Sequence, residues 1–335
     1  MIFAPSYPAV PGERACLCKA GSVLLALLLL ALPTALVAED QSSAAPAGLG
    51  EASTLSAGPL SYTPGRGLRL GSTGAVIGGF TNIKAEHSEE SGAEFTLDTL
   101  NFFLIFDRFT RFRAVAELQM KDIMVIDKAG TGTKDFAFDV RRLFGDFAVS
   151  DALRVRAGTF LTPVGYWNLI LAQPLTWTTE RPLIIEQSFF QETTTGLMLH
   201  GSTPVPSGQL GYSLFSQFLK PLADDRDLVP PDHTIGARLV YDTGRAWSVG
   251  ASYQASETDG ARSHLGGLHY LWKHRRGEVL GEFLYQEGEV LNQEDEALGA
   301  SQWGAYLQGV IEVHRPFYLV GRYEHFDQRP PEPTL

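Results

Sequence analysis

From Leu68 to Gln328 the sequence runs through about thirteen segments in which apolar and polar residues alternate, each about 8 to 14 residues long, with almost no helical periodicity. Phe112, Ala114, Ala116, Leu118 and Met120 alternate with Arg113, Val115, Glu117, Gln119 and Lys121. Ile235, Ala237, Leu239 and Tyr241 alternate with Gly236, Arg238, Val240 and Asp242, and Trp247, Val249, Ala251 and Tyr253 with Ser248, Gly250, Ser252 and Gln254. A period of two places one set on each face of a strand, so each segment has one apolar and one polar face. The links between segments also alternate. Long ones fall near 87–93, 127–134, 161–194, 219–232, 256–262 and 288–300, and short ones near 107–111, 150–152, 202–209, 243–246, 273–277 and 314–316. A meander with short turns at one end and long loops at the other is the layout of an outer-membrane barrel.

The physical reason is the solvent. In lipid every backbone N–H and C=O must pair internally, so a sheet spans a bilayer only when it closes on itself. One face of each strand then meets lipid and the other the lumen. A secreted β-sandwich would show the same alternation but has no need of a regular short–long order. Aromatics gather at segment ends, at Phe144, Phe147, Tyr166, Trp167, Trp247, Trp272, Phe317 and Tyr318, as interfacial girdles do. The expectation is an all-β fold, a transmembrane antiparallel β-barrel meander.

The N-terminus points to export. Arg14 and Lys19 precede the apolar run from Val23 to Leu32, followed by Pro33 and small residues up to Ala38. That order is a secretory signal, expected to be cut after Ala38. The run is too short to span the about 30 Å of a bilayer core as a helix. Residues 39–67, rich in Ser, Ala, Pro and Gly, read as a flexible lead-in, and 68–335 as the barrel. Cys16 and Cys18 are the only cysteines and both lie in the signal, so the mature chain has no disulfide framework. A formal charge of −11 argues against a nucleic-acid partner.

The stretch RVRAGTFLTPVGYWN, Arg154 to Asn168, begins as a strand with Arg154 and Arg156 on one face and runs into the longest link. That link is too apolar to float in water: Tyr166, Trp167, Leu169, Ile170, Leu171, Trp177, Leu183, Ile184, Ile185, Phe189 and Phe190. Loops of this length are usually functional. The expectation is that it folds into the barrel and narrows the pore beside the two arginines; the alternative is an outer lid or a subunit contact.

At these residues the sequence resembles a family. AGTFLTPVGYWN, Ala157 to Asn168, is similar to the strand-then-Pro-aromatic-Gly segment of bacterial porins of the phosphate-selective O/P type. IIEQSFFQETTTGLMLHG, Ile184 to Gly201, is similar to that family's next landmark; Glu186 matches its acidic position, and Gln187 stands where the family has Arg. The resemblance covers about 45 residues. It implies a channel, often a homotrimer, in the outer membrane of a Gram-negative bacterium, without carrying phosphate selectivity.

The functional expectation is therefore passive diffusion of small polar solutes or ions, selected by size at a constriction and by fixed lumen charge. The candidate pore-lining and constriction residues are Arg113, Glu117, Lys121, Arg154, Arg156, Tyr166, Trp167, Glu186 and Arg238. Arg154 and Arg156 sit about 7 Å apart on one face, which favours an anion between them unless Glu117 or Glu186 pairs with them. The rivals are an outer-membrane lipase or protease with its site at the barrel rim, and a plugged barrel serving adhesion or structure.

No cofactor or metal is expected. His264, His269 and His274 are spaced by five, which puts neighbours on opposite faces, and read as scattered surface histidines. HRRG, His274 to Gly277, reads as a solvated basic turn on the periplasmic side. Asp224, Asp225 and Asp227 with Glu294, Asp295 and Glu296 read as two acidic outer loops; their lesser reading is a divalent-cation bridge to lipopolysaccharide, beside the outer-membrane lipid that a barrel meets. The strand count is odd and RPPEPTL lacks a terminal aromatic, so the barrel is expected to be incomplete in this chain, matching a sixteen-stranded porin with about three more strands.

Overall fold

The computed structural model describes residues 54–64, 66–88, 92–128, 130–133, 136–170, 176–178, 180–187, 190–220, 229–291 and 297–329. The signal and most of the lead-in lie outside the described residues, as do both acidic loops. Among the described residues seventeen strands form one sheet. Three short strands come first: β1 (Leu55–Ala57), β2 (Leu60–Thr63) and β3 (Gly67–Leu70). Then follow β4 (Ala75–Ser88), β5 (Gly92–Phe109), β6 (Phe112–Asp127), the three-residue β7 (Gly130–Gly132), β8 (Ala137–Ala148), β9 (Arg154–Leu161), β10 (Thr193–Val205) and β11 (Gly208–Leu219). The run ends with β12 (His233–Asp242), β13 (Trp247–Thr258), β14 (Ala261–His274), β15 (Gly277–Leu291), β16 (Ala297–His314) and β17 (Phe317–Arg329). Each long strand pairs antiparallel with the next long one, β6 pairing with both β7 and β8. The sheet is not closed: β1 and β17, the ends of the run, are not joined.

The faces are those of a barrel wall. Leu307 is 57% exposed whereas the next residue, Gln308, is 1% exposed. Along β12 Ile235 and Leu239 point out, and Arg238 and Val240 point in. Along β13 Trp247, Val249 and Tyr253 point out, and Ser248, Ser252 and Gln254 point in. Apolar outside and polar inside inverts the soluble pattern, and only an apolar solvent makes it stable. Among the described residues no helix is long and apolar enough to cross a membrane.

Three features depart from the sequence expectations. The link near 256–262 is a tight hairpin: Thr258 pairs with Ala261, and Asp259 and Gly260 both have positive φ, the geometry of a two-residue turn that extends the strands at a supposed long loop. β1 and β2 pair with each other inside the stretch expected to be lead-in. Phe144, assigned to an interfacial girdle, is buried on the inner side with Val115, Phe160, Met198 and Phe215.

Candidate functional site

The segment between β9 and β10 leaves the wall at Leu161 and returns at Thr193, and its two stems are stapled together. Thr162 donates its backbone N–H to Glu192 O at 2.9 Å and its hydroxyl to Gln191 O at 2.7 Å. Asn168, fully buried, donates from one amide nitrogen to Thr162 O at 2.7 Å and to Glu192 O at 3.1 Å. A closed neck of this kind makes a compact Ω-like loop whose apolar residues must find a surface. The surface they find is the inner face of the opposite strands. Val164, Trp167, Ile184, Ile185 and Phe190 form one buried cluster with Leu265 and Leu271 of β14, Leu280 and Leu284 of β15, and Tyr306 of β16. A 3-10 turn (Trp167–Leu169) and one short helix, α1 (Leu183–Glu186), are the loop's regular elements among the described residues. The loop therefore folds inward, as the apolar sequence requires.

Glu282 on β15 is the polar anchor. Its carboxylate accepts the backbone N–H of Tyr166 at 3.1 Å, the N–H of Trp167 at 3.2 Å and the Tyr306 hydroxyl at 3.0 Å. Three donors to one carboxyl compensate for its burial between Leu280 and Leu284. Gly165 makes the approach possible. Its φ is +64°, and a Cβ there would overlap the Glu282 carboxylate. Around this point Gly165 N–H donates to Ser252 Oγ at 3.1 Å, Arg238 Nε donates to Gly165 O at 3.0 Å, and the Tyr166 ring lies 5.8 Å from His269. Farther along the loop, Arg322 of β17 donates to Thr178 Oγ1 and Glu180 O, each at 2.9 Å. Trp177 donates its indole N–H to Glu278 at 2.6 Å, and Leu183 N–H donates to Glu324 at 3.0 Å.

The strands on the other side of the loop carry paired charges. On β8, Arg142 lies opposite Glu117 and Val140 opposite Leu118, so Arg141 is the extra residue of a bulge. A bulge puts two consecutive side chains on one face, and both arginines turn inward and are buried. Arg142 is paired with Glu117, and Arg141 with Glu192 at 2.6 Å. Glu192 at the loop neck also holds Arg181 from the loop itself. Asp146 accepts from Arg156 at 2.7 Å and lies 3.1 Å from His200 Nε2, and the Arg156 guanidinium rests on the Phe144 ring at 4.1 Å. Arg113 and Arg154 lie within electrostatic reach of this group, near the short-turn ends of β6 and β9. Lys121 pairs with Asp139 at 3.0 Å.

The nine candidate residues thus fall into four places. Tyr166, Trp167 and Arg238 meet at the loop anchor on β12–β16. Arg113, Arg154 and Arg156 gather around Asp146. Glu117 and Lys121 sit in wall ion pairs, and Glu186 is at the exposed end of α1. Three expectations need correction. The partner of Arg156 is Asp146, not Glu117 or Glu186, because Asp146 is its direct neighbour across β8 and β9. The loop's apolar face docks away from Arg154 and Arg156, against β14–β16, because that inner face carries the leucines it can bury against. Tyr166 and Trp167 are interior anchors and not girdle residues. His269 is also interior, packed beneath Tyr166 and beside Arg238, whereas His264 and His274 are exposed.

The sequence reading missed Arg141, Arg142, Asp146, Glu192, His200 and Glu282. Two signals were present. Adjacent arginines in a period-two segment force one onto lipid unless the strand bulges. A lone Glu two residues from Leu on each side of one inner face, as in Leu280, Glu282 and Leu284, demands buried donors.

No family model matches the sequence, and no curated protein matches it. Solved structures similar to this chain include an anion-selective porin from Comamonas acidovorans, at 13% identity and TM-score 0.48, covering 76% of this chain and 80% of that one. A second is OmpF of Salmonella typhi in complex with daunomycin, at 10% identity and TM-score 0.48, covering 76% and 78%. A third is OccK5 (OpdH) of Pseudomonas aeruginosa, at 16% identity and TM-score 0.38, covering 76% and 64%. At these identities and scores the functional reading rests on this chain's own residues.

Proposed function

We propose that this chain is an outer-membrane channel for passive diffusion of small polar solutes, with the loop at 162–192 setting its aperture. The observation that carries the reading is the loop's docking. An apolar segment crosses from β9 to the far inner wall and is held there by Glu282, which narrows a polar lumen enclosed by an apolar exterior. Lumen charge then sets ion preference. Arg156 pairs with Asp146, Arg113 lies opposite Asp146 across β6 and β8, and Arg154 lies near Arg113, a set of guanidiniums on one stretch of wall that favours anions modestly. Small polar and anionic solutes are the cargo, and a homotrimer is the assembly implied by the family resemblance. Purified protein in a planar bilayer tests the reading. Discrete, ohmic conductance steps with an anion-leaning reversal potential in a salt gradient are expected. Protein that inserts without conducting would overturn the reading and favour a plugged barrel.

A further inference from the structure

The outer surface carries one feature that a channel does not use. Where β15, β16 and β17 leave the short turns, the lipid-facing side has a depression of about 580 Å³. Its floor is Val279, Gly309 and Gly321, adjacent across the registers, and Trp272, Ile311 and Leu319 form its sides. Gly309 and Gly321 lie directly opposite each other, and a Cβ added at either meets nothing within 4 Å. Two missing side chains side by side leave a slot between the exposed pairs Leu307–Tyr323 and Ile311–Leu319. Its open side faces the surrounding solvent of the wall.

The rim of this slot is basic. The turn below β14 and β15 presents Arg275 and Arg276, flanked by His274, and the turn below β16 and β17 presents Arg315 beside His314; all five are exposed. The nearby acids are engaged: Glu312 pairs with Arg315 at 3.3 Å, and Glu278 holds the Trp177 indole. Trp272 stacks on His274 at 5.7 Å, an amphipathic pair suited to the boundary between apolar and polar layers. A concave apolar slot ending at a cluster of guanidiniums matches one chemistry, an acyl chain joined to an anionic phosphate.

We propose that this groove binds an anionic glycerophospholipid of the membrane leaflet at the short-turn side, with an acyl chain over Gly309 and Gly321 and the phosphate at Arg275, Arg276 and Arg315. The proposal rests on the membrane-spanning reading but not on conduction. Bulk lipid would coat the whole wall evenly; here the charge cluster and the slot coincide, and basic residues near a membrane surface attract anionic lipid strongly enough to select it. A second copy of the chain would have to bring acidic groups to the same rim.

Native mass spectrometry of the full chain released from detergent tests this, with palmitoyl-oleoyl phosphatidylglycerol and the matching phosphatidylcholine as probes. Wild-type protein is expected to retain phosphatidylglycerol in preference to phosphatidylcholine. R275A/R276A/R315A should lower that preference by about tenfold. G309L/G321L, which fills the slot from two positions where an added Cβ meets nothing within 4 Å, should lower retention of both lipids. Equal retention by all three proteins would overturn the proposal. Loss of an oligomer in G309L/G321L with lipid retention unchanged would also overturn it and assign the groove to a second copy. Displacement of phosphatidylglycerol by inorganic phosphate alone would reduce the site to a phosphate-binding rim and remove the acyl slot from it. Bilayer conductance of both variants should match wild type. Lipid retention in a protein that never conducts would sink the channel reading alone, whereas a protein that stays out of vesicles would sink both.

Discussion

The two inner walls beside the loop hold their polar groups in opposite ways. β6, β8, β9 and β10 carry charges in pairs: Arg142 with Glu117, Arg141 with Glu192, and Arg156 with Asp146. β12 to β16 carry leucines, glutamines and serines, with one buried carboxylate, Glu282, spent on backbone N–H groups of the loop. The paired wall keeps its charges fixed to itself, and the other wall gives its polar capacity to the loop. In the proposed channel the first would shape the field a permeating ion meets and the second the opening, so substitutions should separate selectivity from aperture.

Glu192 ties the paired wall to the loop neck, and its loss should have the largest effect. Glu192→Ala leaves Arg141 buried without its nearest partner and frees Arg181, and breaking a buried pair costs about 3–5 kcal/mol. Thermal unfolding in detergent should show a clear drop in midpoint; an unchanged midpoint would mean that the neck is not held by charge. Gly165→Ala comes next. It places a Cβ against the Glu282 carboxylate at a positive φ, so the loop must shift. Proteolysis of the folded protein should then cut within 162–192 at least about tenfold faster, a loss of about 1.4 kcal/mol or more in local stability. Equal cutting rates would place the anchor elsewhere.

On the paired wall, R154A/R156A should move the reversal potential toward cation preference and change conductance by less than about twofold, because the aperture belongs to the other wall. A large conductance change with unchanged ion preference would reverse the assignment of roles. Trp177→Phe should be the mildest. It removes one donor to Glu278, worth about 1.5–3 kcal/mol before water replaces it at a half-buried site, and should leave conductance and ion preference near wild type. A change in conductance as large as that of a Glu282 variant would move the anchor to the Trp177 end of the loop.

The wall was legible in the sequence and the polar chemistry inside it was only partly so. Alternation assigned faces correctly along β12, β13 and β16, because lipid tolerates no exception on the outward set. The apolar residues from Tyr166 to Phe190 required the loop to leave water. What the sequence did not disclose was pairing across strands. Register places Asp146 opposite Arg156 although they are ten positions apart, and Glu117 opposite Arg142 although they are twenty-five apart. A bulge at Arg141 breaks the period locally, and a partner such as Glu282 lies more than a hundred residues from Tyr166 and Trp167. The tight turn at Asp259–Gly260 was readable from its Asp-Gly pair and was absorbed into an assumed long loop.

The central claim is that Glu282 holds the aperture loop against the far wall. Single-channel conductance of wild type and Glu282→Ala, recorded side by side in planar bilayers, tests it most directly. Removing three hydrogen bonds, worth about 1 kcal/mol each, should release the loop. The account predicts a larger or flickering conductance for Glu282→Ala, with ion preference close to wild type. A steady conductance equal to wild type would contradict it.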